Sequence, residues 1–143
     1  MSRDLTQAYK IIRQFEGCRL HAYQDSVGVW TIGFGTTLGV HPGQTITPAQ
    51  AESLLEIDVQ HRAAQLAGWI HVPVTDNMMS AMISLAYNIG MGGIYHSRML
   101  ADLNGGAPKK QVAQDFMSWI HAGGHVVQGL VNRRKEEMAI FLA

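Results

Sequence analysis

The sequence predicts a mainly helical α+β fold in which an N-terminal helix and a small antiparallel β-hairpin lobe pack beside a larger helical lobe. Three observations carry that expectation. Apolar residues recur at helical spacing over most of the chain, β-branched and aromatic residues broken by glycines gather between Cys18 and about Thr37, and no internal repeat interrupts the plan. With 143 residues and 47% hydrophobic content the chain fits one compact core, so residues 1–143 are expected to form a single domain.

The first helix runs from about Asp4 to Glu16, where Leu5, Tyr9, Ile12 and Glu16 share a stripe that Ala8 and Phe15 widen, and Gly17 supplies the stop. Gly28, Gly33, Gly35 and the Asp25-Ser26 pair punctuate the next segment as short hairpin strands require; this is the one β region the pattern supports. Thr47-Pro48-Ala49-Gln50 reads as a capping box with proline at the first helical position, opening a helix from Pro48 to about Leu66. Val72-Pro73-Val74 breaks the pattern. Thr75 then caps a helix whose Met78, Met79, Met82, Ile83, Ala86 and Ile89 form a broad apolar face, fit for the buried centre and better explained as core filling than as a binding surface. Residues Gly90 to Gly93 close it. A short helix from about Ser97 to Leu103 ends at Asn104-Gly105-Gly106, and two more, Pro108 to about Ile120 and Gly129 to Leu142, are separated by Gly123-Gly124.

Eleven basic residues balance eleven acidic ones, so no summed charge points to nucleic acid or to an anionic membrane surface. The one cysteine, Cys18, cannot form an internal disulfide and fits folding in a reducing cytoplasm. No apolar run reaches the roughly 18 residues of a membrane span, and Met-Ser-Arg-Asp does not read as a signal peptide. As read, the chain is expected to have no membrane segment and no route of its own across a membrane. His21, His41, His61, His71, His96, His121 and His125 are scattered without ligand spacing, so no metal site is expected. Cys18 has no His-plus-acid constellation around it. Trp30, Trp69 and Trp119 fit the core better than a sugar platform, with Trp30, beside Thr31, the one placed to serve a cleft.

Glu16 continues the apolar stripe of its helix and stands in the last turn, at the negative end of the helix dipole. Both effects oppose ionisation, and a carboxyl kept protonated near neutral pH is what a general acid needs to protonate a leaving oxygen. On position alone, a surface glutamate at a frayed helix end is the simpler account. Asp25 falls in the turn between two strands, where a solvated carboxylate stays ionised; by itself it would be an Asx-turn cap. Together the two set carboxyls in contrasting surroundings, the arrangement on which glycoside hydrolysis relies. Thr31, in the following strand, offers a hydroxyl to hold a water beside Asp25 and is otherwise a strand-favouring residue.

Within EGCRLHAYQDSVGVWTIGFGTT, these three residues closely resemble the catalytic signature of the phage lysozymes, glycoside hydrolase family 24. LAYNIGMGG resembles that family's central buried helix and the loop after it, and SWIHAGGHVVQGLVNRRKEEMAIF its C-terminal Trp, Gly-Gly and Asn-Arg-Arg segment, so the resemblance spans nearly the whole chain. It implies a lysozyme-like fold with the active-site cleft between the lobes. It also implies a peptidoglycan hydrolase that cuts the β-1,4 bond between N-acetylmuramic acid and N-acetylglucosamine with neither metal nor cofactor. Residue by residue, Glu16 would be the general acid, Asp25 the general base and Thr31 the water-positioning group. Inversion at the anomeric carbon follows from those roles and needs the carboxyls roughly 6.5–9.5 Å apart. The implied partner is bacterial peptidoglycan. The chain is expected to be a monomer, made in the host bacterial cytoplasm and acting on the periplasmic wall during phage release.

Two features depart from the family pattern: Thr36 stands where many relatives have His, and the membrane-arrest segment that precedes the domain in many relatives is not found before Glu16. Arg133, from the Asn-Arg-Arg match, is the candidate partner of Glu16, where a cation would oppose the desolvation argument. A solvated pair with Glu137, one helical turn on, explains Arg133 equally well. Rival readings remain: a non-catalytic wall-binding module, which needs none of the three site residues; a lytic transglycosylase, which cuts the same bond with one acid and leaves an anhydro-sugar end; and a secreted toxin, which differs in delivery alone. Asp25 and Thr31 favour hydrolysis.

Overall fold

The structure, a computed structural model, describes residues 2–143; Met1, the first residue of the expected domain, lies outside them. Helix α1 (Thr6–Glu16) begins beyond Asp4, whose Oδ1 stays outside and accepts from the Thr6 amide at 3.0 Å. Gly17 ends the helix. Strands β1 (Arg19–Gln24) and β2 (Trp30–Gly33) then pair antiparallel, with Tyr23 opposite Thr31 and Gln24 opposite Trp30. The ladder is irregular between Arg19 and Tyr23, and there residues 44–46 dock on the free edge of β1: the Ala22 amide donates to the Gln44 carbonyl and the Ile46 amide to the Leu20 carbonyl. After β2 the chain doubles back through Gly33-Phe34-Gly35, closed by reciprocal backbone hydrogen bonds of 2.9 Å between Ile32 and Thr36.

Both arms of the capping box form at α2 (Pro48–Trp69): the Gln50 amide donates to Thr47 Oγ1 at 3.1 Å and the Thr47 amide to Gln50 Oε1 at 2.9 Å. The helix runs past Leu66 to Trp69, which still packs on the core. Thr75 caps α3 (Asp76–Ile89), and every residue from Met78 to Ala86 is buried. This helix is the centre of the helical lobe: α1, α2 and α7 (Gln128–Leu142) all pack against it, so the first and last helices share one core.

Three stretches differ from expectation. Gly90 ends α3, but Gly92 and Gly93 are not loop; they lie in a short helix, α4 (Met91–Tyr95), anchored by buried Ile94. After α5 (Arg98–Asn104), capped by Ser97, helix α6 (Lys109–Asp115) tightens into a 3-10 turn over Phe116–Ser118 and stops short of Ile120. Trp119 leaves helical geometry there (φ −109°, ψ 62°), and its carbonyl accepts from Arg134 at 3.2 Å. A second hairpin follows, β3 (His121–Ala122) with β4 (His125–Val126), so the first β region is not alone. Gly123 and Gly124, at φ 59° and 79°, supply the two left-handed residues that a tight two-residue hairpin turn requires. Trp69 and Trp119 pack on the core as expected, whereas Trp30 is half-buried and stands outside the main apolar cluster. Met78, Met79 and Met82 fill the core.

Candidate active site

Glu16 is the last residue of α1, whose inner face buries Ala8, Ile11 and Ile12 against the helical lobe and so carries the carboxyl, 22% exposed, to the lobe's edge. Arg133 reaches it from α7: Nη1 donates to Glu16 Oε2 at 2.6 Å, and Nη2 to the Ser84 carbonyl at 3.2 Å. Its guanidinium also lies over the Phe15 ring, 5.5 Å from the centroid. The alternative partner is present as well. Arg133 Nε lies 3.4 Å from Glu137 Oε2, an ionic contact without hydrogen-bond alignment.

That second pair is not solvated, contrary to the surface pairing considered for it, because Glu137 is wholly buried. Arg134 Nε approaches its Oε1 at 2.7 Å and the Ser84 hydroxyl donates to its Oε2 at 2.6 Å, which together hold the side chain inside. Burial pushes the Glu137 carboxyl up, against the pull of both arginines and Ser84, and lowers the Arg134 guanidinium. Arg134 spends its remaining donors on Asn88 Oδ1 at 2.6 Å and the Trp119 carbonyl. Glu137, Arg134, Arg133 and Glu16 thus form one connected chain of polar contacts from the core to the lobe edge, in which buried Glu137 is paired with both arginines.

The small lobe meets Glu16 through the turn after β2. A β-carbon on Gly35 would stand 3.1 Å from Glu16 Oε1 and 3.5 Å from Tyr87 Cε1, and Gly35 has φ +90°, so only glycine fits this close approach without strain. Tyr87, on α3, donates its hydroxyl to the Phe34 carbonyl at 2.5 Å. Thr36 is buried and donates to Asp58 Oδ2 at a long 3.4 Å.

Asp25 sits in the β1–β2 turn as expected. Its Oδ1 accepts from the Val27 and Val29 amides at 3.0 and 2.9 Å, the Asx-turn geometry, and no protein donor reaches Oδ2 among the described residues. Thr31 is buried on β2, with its hydroxyl donating to the Val29 carbonyl at 2.9 Å, and no protein donor reaches that oxygen among the described residues. A hollow of about 300 Å³ opens between Phe15, Glu16, Asn88, Val127, Leu130 and Arg133. Glu16 and Arg133 therefore come together on the helical side, while Asp25 and Thr31 stand on the hairpin, outside the lining of that hollow. Sequence reasoning missed Gly35, Tyr87, Ser84, Arg134 and the burial of Glu137. The signal for the last two was the i, i+3 pairing of opposite charges in a helix that also sends Met138, Ile140 and Phe141 to the core. Among the described residues no group of three or more His, Cys, Asp or Glu is placed to hold a metal ion, and no helix is long and apolar enough to cross a membrane.

The Phage lysozyme family model matches residues 13–137, so the chain belongs to the phage lysozyme family. It is similar to the endolysin of Acyrthosiphon pisum secondary endosymbiont phage 1, 38% identical over 135 residues covering 92% of both chains. An endolysin of Bacillus phage B103 is 39% identical over 135 residues, 92% of this chain but 51% of that protein; the chain spans about half the length of this longer relative. Among solved structures, the crystal structure of a point mutant of P22 lysozyme superposes with a TM-score of 0.86 at 34% identity, each chain covered completely. The mainly helical lysozyme-like architecture is thereby shared.

Proposed function

We propose that this chain is a single catalytic domain that hydrolyses the β-1,4 bond between N-acetylmuramic acid and N-acetylglucosamine in bacterial peptidoglycan, lysing the host wall in phage release. Family membership supports the reaction class. The observation that carries the site is the Glu16 carboxyl at a lobe edge, with a guanidinium on one oxygen and the glycine turn of the other lobe on the other.

With Oε2 engaged by Arg133, Glu16 presents its proton from Oε1 to the glycosidic oxygen as the bond breaks. Arg133 then stabilises the carboxylate that remains. Asp25, anchored through Oδ1, keeps Oδ2 to take a proton from a water that attacks the anomeric carbon from the opposite face, and a Thr31 lone pair orients that water. The new C–O bond forms on the face opposite the departing oxygen, and the product is the inverted anomer. No metal or cofactor enters these steps. The protein acts as a monomer, made in the host cytoplasm and reaching the periplasmic wall at lysis.

The test is clearing of outer-membrane-permeabilised Gram-negative cells and purified peptidoglycan by wild type and Glu16→Gln side by side. The variant is expected to fold and to lose at least a hundredfold in rate, since a general acid contributes about 10²–10⁴. New reducing ends identify hydrolysis, whereas anhydro-sugar ends would replace it with a transglycosylase. Near-normal clearing by folded Glu16→Gln removes the assignment.

A further inference from the structure

Glu16 is positioned from three directions, and the third has no role in the chemistry described above. Arg133 fixes Oε2, helix α1 fixes the backbone, and the turn at Phe34-Gly35 bounds Oε1. That turn belongs to the small lobe, and nothing in its own backbone pairing between Ile32 and Thr36 ties it to the helices. The Phe34 side chain packs into the core of the helical lobe, and two side-chain hydrogen bonds add polar links among the described residues: Tyr87 to the Phe34 carbonyl at 2.5 Å, and Thr36 to Asp58 at 3.4 Å. The second is at the outer limit of hydrogen-bond length, so the first is the firm polar link and the one that fixes the turn's backbone.

We propose that Tyr87 is a positioning residue for Glu16: its hydroxyl clasps the Phe34-Gly35 turn to α3 and so sets the wall beside the oxygen that delivers the proton. The inference rests on the catalytic reading of Glu16 given above. Tyr87 stands in the last turn of α3, half-buried, with its ring edge 3.5 Å from where a Gly35 β-carbon would be and its face covered by the Arg62 guanidinium, 4.9 Å from the centroid. Arg62 holds this place although its Nε is buried without a hydrogen-bond partner, so the packing over the ring is maintained at a polar cost. The charged groups facing the phenol are Asp58 and Arg62 from α2, Glu16 from α1 and Arg133 from α7. Burial, then Asp58 and Glu16, push the phenol above its ordinary range, which keeps it protonated and a hydrogen-bond donor well above neutral pH. The ring is rigid and its hydroxyl is aimed at a backbone carbonyl rather than toward the cleft. Tyr87 therefore acts on the acid through the turn, not on the substrate.

The clasp predicts a loss confined to the chemical step. In the full chain, Tyr87→Phe keeps the ring and removes the hydrogen bond; kcat on soluble glycan strands from peptidoglycan should fall about tenfold to a hundredfold with KM within about twofold, because a small misplacement of a reacting group has effects of that order. The matched control is Thr75→Ala, which removes the cap from the other end of the same helix and should lower Tm by a similar few degrees with kcat unchanged. Wild-type kcat in Tyr87→Phe overturns the proposal. Equal losses of kcat in the two variants, tracking their loss of stability, overturn it too, since that is a structural role. Glu16→Gln separates the layers: if it is dead while Tyr87→Phe keeps its kcat, only the clasp falls, and if it is active, the acid assignment and the clasp fall together.

Discussion

Replacing Gly35 with alanine measures how closely the small lobe is seated on the acid. The new methyl carbon meets Glu16 Oε1 at 3.1 Å, so the carboxyl or the turn must give by a few tenths of an ångström. A β-carbon at positive φ adds about 1–2 kcal/mol of backbone strain, and displacing the buried contact brings the expected loss to about 1–3 kcal/mol. For a chain of 143 residues, each kcal/mol corresponds to about 3 °C, so Tm should fall by about 3–9 °C. Gly39→Ala is the control. Gly39 has φ +72° with no heavy atom within 4 Å of its would-be β-carbon, so it carries the strain without the contact. Thermal unfolding should show Gly35→Ala the less stable of the two. Wall-clearing rates should show it alone slowed, about tenfold or more, as the acid moves off its line. If the two variants match in both Tm and rate, the close approach of Gly35 to Glu16 does not constrain the site and the reasoning is wrong.

Two further outcomes concern the buried charges. Glu137→Leu strips the carboxylate that Arg134 touches in the core and should destabilise the fold by about 3–5 kcal/mol, read as a drop in denaturant midpoint at unchanged slope; a loss under about 1 kcal/mol would show that the network does not hold the two helices together. Asp115, at the end of α6, is pushed up to about 6 from an ordinary 3.8, first by burial and then by Asp102 on α5. Because the folded carboxyl keeps its proton where the unfolded one has lost it, this group's contribution is full below about pH 4 and is lost as pH rises through about 6. The Tm of wild type relative to Asp115→Asn should therefore fall between pH 4 and 6.5 and level off above. A constant difference, or one that grows with pH, rules the pairing out.

Elements with a local cause were legible from the residues. The capping box at Thr47 formed with both hydrogen bonds, Thr75 capped the central helix, and the methionine stripe of that helix went to the core. What periodicity could not show was set by partners distant in the chain. Helix α6 stops early because Trp119 must turn away, with its carbonyl taken by an arginine of α7. The second hairpin is only two residues per strand, too short for an alternating pattern, and its Gly-Gly pair was the sole trace of it. In the site, Glu16 and Asp25 were readable as types in contrasting places, and Arg133 as a residue with two candidate partners; that it engages both follows from the burial of Glu137, a property of packing between α3 and α7. The roles of Tyr87 and Gly35 were invisible because Tyr87 bonds a backbone carbonyl of the other lobe and Gly35 meets Glu16 only by lacking a side chain, and side-chain spacing carries no record of either contact.

The pairing of Glu16 with Arg133 also bears on the order in which the molecule comes into being. The two residues are 117 positions apart, and the helix bearing Arg133 follows all the others. A ribosome that has made everything up to Val127 has already released the acid, the hairpin and the central helix, yet holds no guanidinium for Glu16 and no Glu137 to secure it. Long-range closure of this kind is slow relative to helix formation and comes late. A chain that stops before α7 therefore carries Glu16 without its cation, and the proposed site is complete only once the last helix has docked.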